Sequence, residues 1–110
     1  RGELLLIKTD NSELEWWKLP FDPDFCRLTP GAAEELVAAG VRAVGIDGLS
    51  IGGPDEEGDR VHRILLTNTV TVIEGLALND APWGRCEIMC LPLRLDGGDG
   101  APARALIRPM

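Results

Sequence analysis

Hydrophobic residues fall along this chain in short runs of four to eight rather than in one long stripe, and the runs alternate with polar, turn-forming stretches. The first run, Glu3-Leu4-Leu5-Leu6-Ile7-Lys8-Thr9, is nearly continuous and short, which predicts a strand buried on both faces. Val41 to Ile46 predicts a second strand ending at Asp47, and Val70-Thr71-Val72-Ile73-Glu74 a third. Cys86 to Leu91 reads as a fourth, continuing past Pro92 to Leu95 with an edge or bulge at the proline. After the glycine-rich turn Asp96–Gly100, Ala103 to Ile107 closes the set. Between the first two strands lies a helix with punctuation at both ends: Thr29 as N-cap, Pro30 in the first helical position, and Gly40 after the last turn. Ala33, Leu36 and Val37 share one face of it, while Glu34 and Glu35 point to solvent. Strand, loop, helix, strand is an α/β unit, and a parallel crossover is its natural topology.

Two connections stand out. From Asp10 to Leu28 the periodicity breaks up around Trp16-Trp17, Pro20 and Pro23. Long loops within a compact domain are often functional, so the tryptophans either wall a pocket or cover a core edge or subunit interface. The second connection, Gly52 to Asp59, is acidic and glycine-rich but lacks Gly-Lys-Ser/Thr, and its carboxylates would repel phosphate. It reads as a flexible link to a short segment, Val61 to Asn68, of one or two helical turns.

Composition narrows the function classes. The chain has 110 residues, enough for one domain or part of one, and begins at Arg1 with a strand almost at once, which reads as a C-terminal fragment. Eighteen acidic against eleven basic residues give a net charge of −7, the wrong sign for nucleic acid. No apolar run reaches the roughly 20 residues that span a bilayer, so no membrane partner is expected. Cys26, Cys86 and Cys90 are odd in number, and the last two lie about 13 Å apart along a strand, too far for a disulfide. They read as small buried hydrophobes of a cytoplasmic protein.

Only one histidine occurs, His62, and twelve positions on Glu74 follows a β-branched run where an unpaired charge is costly. Imidazole and carboxylate both suit a divalent metal such as zinc, but a catalytic site normally takes about three protein ligands. Two ligands make half a site, and the other reading is a structural pair in a non-catalytic oligomeric or binding domain. A nucleophile at Ser50 or Cys26 would lack the strand-turn-helix setting it needs, and nothing in the spacing of Glu74 with Asp47 or Asp80 favours a glycosidase. Those acids read as caps of turns and strand ends; Arg63, next to His62, could pair with an acid or a substrate carboxylate, and as a surface ion pair it would contribute little.

Taken in order, several segments together resemble the C-terminal half of the cyclase family of metal-dependent hydrolases, which includes bacterial kynurenine formamidases and isatin hydrolases. They are Gly40–Asp47, Leu49-Ser50-Ile51, His62–Leu66, Ile73-Glu74-Gly75-Leu76, Leu91–Leu95 and Gly97–Ala105. No single piece is specific; the ordered combination is. The resemblance implies a swivelling β/β/α fold with a mixed sheet and a flanking helix, residues 1–110 being the C-terminal portion of one domain. It further implies one or two divalent ions, zinc or manganese, with His62 as a ligand and Glu74 as a carboxylate able to bridge two metals. The family's N-terminal run His-x-Gly-Thr-His-x-Asp-x-Pro-x-His, source of the other ligands, is absent from the sequence. The activity implied is hydrolysis of a cyclic amide, formamide or ester in a small-molecule substrate by metal-activated water, in a homo-oligomer. The loop around Trp16, Trp17 and Phe21 is the expected receiver of an aromatic or cyclic substrate.

Overall fold

A computed structural model describes residues 2–110. The chain divides into two compact units, Arg1–Asn79 and Asp80–Met110. The first is built on a three-stranded parallel sheet of β1 (Leu4–Ile7), β2 (Ala43–Ile46) and β3 (Thr71–Ile73), in the order β1-β2-β3. Leu5 faces Val44 across the first pair and Val44 faces Val72 across the second. Central β2 is buried at all four positions, as its uninterrupted apolar run requires. β1 is less enclosed than predicted: it pairs with β2 alone among the described residues, and Leu5 is exposed.

The β1–β2 connection contains a single helical turn, α1 (Asn11–Leu14), a 3₁₀ turn at Trp16–Lys18, and the helix α2 (Pro30–Ala38). Thr29 caps α2, its hydroxyl accepting the Ala32 amide at 3.2 Å. Gly40, at φ +76°, ends it: the Gly40 amide returns to the Val37 carbonyl and the Val41 amide to that of Leu36, a paired closure that needs a left-handed residue. Both signals are local, and both hold.

The β2–β3 connection departs from expectation. Residues read as an acidic loop form the start of a three-turn helix, α3 (Glu56–Thr67). Asp55 is its N-cap, accepting the Glu57 and Gly58 amides, and Glu56, Glu57 and Asp59 place negative charge at the positive end of the helix dipole. The core lies between sheet and helices, with Ala33 of α2, Val44 and Ile46 of β2, and Val61 and Leu65 of α3 buried together with Ile51 and Val70.

The second unit is an antiparallel ribbon of β4 (Cys86–Pro92) and β5 (Ala103–Pro109), with Cys86 opposite Pro109 and Pro92 opposite Ala103. Pro92 ends β4, and the ladder continues one bond further, from the Leu93 amide to the Pro102 carbonyl. One face carries Cys86, Ile88 and Cys90, half-buried; the other presents Met89, Leu91 and Leu106 to solvent, beside the Glu87–Arg108 ion pair. All three cysteines are free, but none is fully buried and Cys26 is exposed, a correction to their reading as core residues. No helix of the described residues is long and apolar enough to cross a membrane.

Candidate metal centre

In the first unit the chemistry gathers at the carboxyl ends of the parallel strands, where open α/β sheets place their sites. Thr9 follows β1, Asp47 follows β2 and Glu74 follows β3. Glu74 stands just beyond Ile73, the last paired residue of β3, and a third of its side chain is exposed, so the carboxylate leaves from the strand's C-terminal end. One carboxylate oxygen, Oε2, accepts two hydrogen-bonding partners at its rim: the Ile51 amide at 2.8 Å and His62 Nε2 at 2.9 Å. The two residues singled out from sequence, twelve positions apart, are thus in contact.

The protonation of this pair follows from its geometry. His62 Nδ1 lies 2.9 Å from the Gly58 carbonyl, one turn back in α3, and a carbonyl can only accept. Nδ1 therefore carries a proton, and in neutral imidazole that leaves a lone pair on Nε2. A lone pair facing a carboxylate oxygen at 2.9 Å needs positive charge at that edge: a proton shared between them, or a metal ion that both atoms ligate from one side. Without metal the imidazole keeps its proton to higher pH than an ordinary histidine: burial pulls its pKa down, but hydrogen bonds to Gly58 and Glu74 and the charges of Glu74 and Asp59 more than offset it, leaving it above the ordinary 6.5. Tying one ring nitrogen to a backbone carbonyl while the other faces outward is how metal-ligating histidines are fixed in orientation. The donor set fits a divalent ion in kind, and supplies two of the ligands it takes. Among the described residues no group of three or more His, Cys, Asp or Glu side chains could hold a metal.

Beside the pair lies a structural carboxylate. Asp47 is fully buried, and its oxygens receive the Thr9 amide at 2.7 Å, the Thr9 hydroxyl at 2.7 Å, the Ser12 amide at 3.2 Å and the Ser12 hydroxyl at 2.5 Å. Its own carbonyl accepts the Trp16 indole N–H at 2.8 Å. Four donors satisfy the carboxylate and fix the chain leaving β1, which is the turn-capping role expected of it. Asn11, also buried, exchanges two hydrogen bonds with the backbone of Cys26 and so ties the irregular stretch before α2 back to α1.

These ties shape a cleft of about 270 Å³. Trp16 and Phe21 line it as expected, with Leu19, Phe25 and Leu49; Trp17 packs edge-on against Trp16, ring centres 5.9 Å apart, and is not a lining residue. Sequence reasoning missed Phe25 and Leu49, as well as the Ile51 amide and Gly58 carbonyl that orient the pair. For Asp47 a signal existed: a carboxylate directly after a wholly apolar strand.

No family model matches the chain. It is 35% identical over 108 residues to a kynurenine formamidase of Sphingopyxis alaskensis and 40% identical over 111 residues to one of Salinibacter ruber, each time over 97% of this chain and 50% of the relative. Among solved structures, a potential metal-dependent hydrolase with cyclase activity superposes with a TM-score of 0.85 at 39% identity, covering 97% of this chain and 51% of the other. A predicted metal-dependent hydrolase from Bacillus stearothermophilus gives 0.84, also at 39% identity, over 97% and 50%. The chain spans about half the length of the curated relatives it matches. By sequence and by fold together, it belongs to the cyclase family of metal-dependent hydrolases.

Proposed function

We propose that the whole protein hydrolyses an acyl C–N or C–O bond of a small molecule, a formamide, cyclic amide or ester, using a divalent metal held in part by His62 and Glu74. The observation that supports this reading is that the fold brings His62 Nε2 within 2.9 Å of Glu74 Oε2 with Nδ1 already committed to a carbonyl, so that imidazole and carboxylate converge where a proton or a divalent cation can be held. The relatives' name, kynurenine formamidase, favours an N-formyl arylamine among these substrates. Imidazole with carboxylate suits zinc or manganese. Such an ion, when bound, supplies Lewis acidity that makes water nucleophilic near neutral pH and polarises the carbonyl under attack. The chain's own residues do the rest: the Ile51 amide turns the Glu74 carboxylate toward His62, and the Gly58 carbonyl holds the imidazole with Nε2 outward. The remaining ligands come from the part of the relatives' length that this chain does not span.

The test is metal content and formanilide hydrolysis of the full-length protein. His62→Ala and Glu74→Gln should each lower metal affinity by more than the ~100-fold that loss of an outer-shell partner costs, and hydrolysis with it. Metal content undiminished in both variants would show that these are not ligands.

A further inference from the structure

Alternation along β3 sends Glu74 to the same side of the sheet as Val72, which packs against the core that α3 helps enclose. Continued for two more residues, it would send Leu76 to that side as well. Leu76 instead lies on the opposite face: its Cδ1 comes within 2.8 Å of the place a Cβ on Gly45 would occupy, beside Leu6 Cδ2 at 2.8 Å and Ile73 Cβ at 3.7 Å. The residue that breaks the alternation is Gly75, in the left-handed region at φ +70°. A Cβ there would meet nothing within 4 Å, so glycine is required for its conformation and not for want of space.

That turn also fixes the backbone of Glu74. On one side Ile73 is paired with Gly45; on the other the Gly75 amide donates to the Gly48 carbonyl at 2.7 Å and the Leu76 amide to that of Ile46 at 3.2 Å. The loop after β2 therefore holds residues 74 and 75 at two points, the Gly48 carbonyl on the backbone and the Ile51 amide on Glu74 Oε2 at 2.8 Å. Ile51 is itself fixed, its side chain fully buried and its carbonyl taking the Leu28 amide at 2.8 Å. Leu76 and Leu78 are buried, and their burial holds the turn closed. Were residue 75 to revert to extended backbone, either Leu76 would swing to the side of His62 and Glu74 or the bond to Gly48 would open.

We infer that Gly75 is a positioning residue of the metal pair: its left-handed conformation sends Leu76 to the far face of the sheet and leaves the Glu74 carboxylate facing the Ile51 amide and His62. Its effect on metal binding and hydrolysis rests on the function proposed above; its effect on Glu74 does not. The test compares Gly75→Asn, Gly75→Ala and Gly75→Val in the full-length protein. Asn tolerates the left-handed region, Ala less and a β-branched residue least, an order that follows neither size nor helix propensity. Two readouts are taken: the Ile51 amide proton resonance of the metal-free protein, drawn downfield by its carboxylate acceptor, and zinc affinity by competition with a chromophoric chelator. In Gly75→Val the resonance should move most of the way to its position in Glu74→Ala, and zinc should bind roughly tenfold more weakly, the disfavour of a left-handed residue that carries a Cβ. Gly75→Ala should fall between, and Gly75→Asn should stay within about twofold of the unaltered protein. Gly97→Val introduces the same strain, at φ +74° with equally open surroundings, in the turn of the second unit, and should change neither readout. Equal effects of Gly75→Asn and Gly75→Val, an Ile51 amide indifferent to both Gly75→Ala and Gly75→Val, zinc affinity that falls in Glu74→Gln but not in Gly75→Val, or a matching loss in Gly97→Val would overturn the inference. Zinc affinity indifferent to His62→Ala and Glu74→Gln, with the Ile51 amide still following residue 75, would instead sink the hydrolase reading and leave the placement of Glu74 by Gly75 standing.

Discussion

The single histidine of the chain makes its contact with Glu74 dependent on pH. In the metal-free chain His62 binds its proton more tightly than an ordinary imidazole, since the bonds to Gly58 and Glu74 outweigh the cost of burial. A folded-state pKa above the unfolded value means that the pair contributes fully to stability below about pH 6.5, and that this contribution is lost as pH rises through the folded-state pKa. The imidazole Cε1–H resonance, followed by NMR without metal, should therefore titrate above 6.5. In Glu74→Gln the midpoint should fall, because the burial penalty persists while the acidic partner is gone. An unmoved midpoint would mean that the contact at 2.9 Å does not govern this proton.

At the scale of elements, α3 shows how a helix can hide from its own sequence. Gly58 costs about 1 kcal/mol of helix propensity relative to Ala, and with Gly52, Gly53 and four neighbouring acids it reads as loop. Its reason is tertiary: a Cβ at Gly58 would lie 1.6 Å from the Gly53 carbonyl oxygen, an overlap with backbone that no rotamer change relieves. Gly58→Ala should thus destabilise the fold by about 1–3 kcal/mol in urea melts, reversing the sign that propensity alone dictates, and should shift the carbonyl that orients His62. Gly31→Ala in α2, where the nearest atom is the Thr29 hydroxyl at 4.0 Å, should be neutral or stabilising by comparison. The contrast explains what could be read in advance. Thr29, Pro30 and Gly40 announce α2 because caps are local chemistry. His62 and Glu74 were identifiable as types with a resemblance to guide them. The Gly58 carbonyl and the Ile51 amide were not, since any residue has a backbone and only the fold selects which one faces a ligand.

Across the whole molecule the two units differ in what sustains them. Residues up to Asn79 enclose a core between sheet and helices, whereas Asp80–Met110 is a two-stranded ribbon with Met89, Leu91 and Leu106 each about half exposed. Two strands with one solvated apolar face are marginal at best in water. A peptide of residues 80–110 should accordingly show no cooperative thermal transition by circular dichroism, while residues 2–79 should retain one. A cooperative melt of the peptide would contradict this division of stability.

The buried carboxylate of Asp47 has a consequence for the rate at which solvent reaches the backbone. Thr9 and Ser12 lie just before and in the single turn of α1, where amides ordinarily exchange with deuterium within seconds to minutes. Their N–H groups instead end on a side chain with no exposure, so releasing either one means opening the end of β2 itself. In deuterium exchange these two amides should keep pace with Val44 and Ile46 rather than with Glu13 or Leu14, and Asp47→Asn should return them to the fast class. The loop that frames the aromatic cleft would then be, by the clock of hydrogen exchange, part of the core.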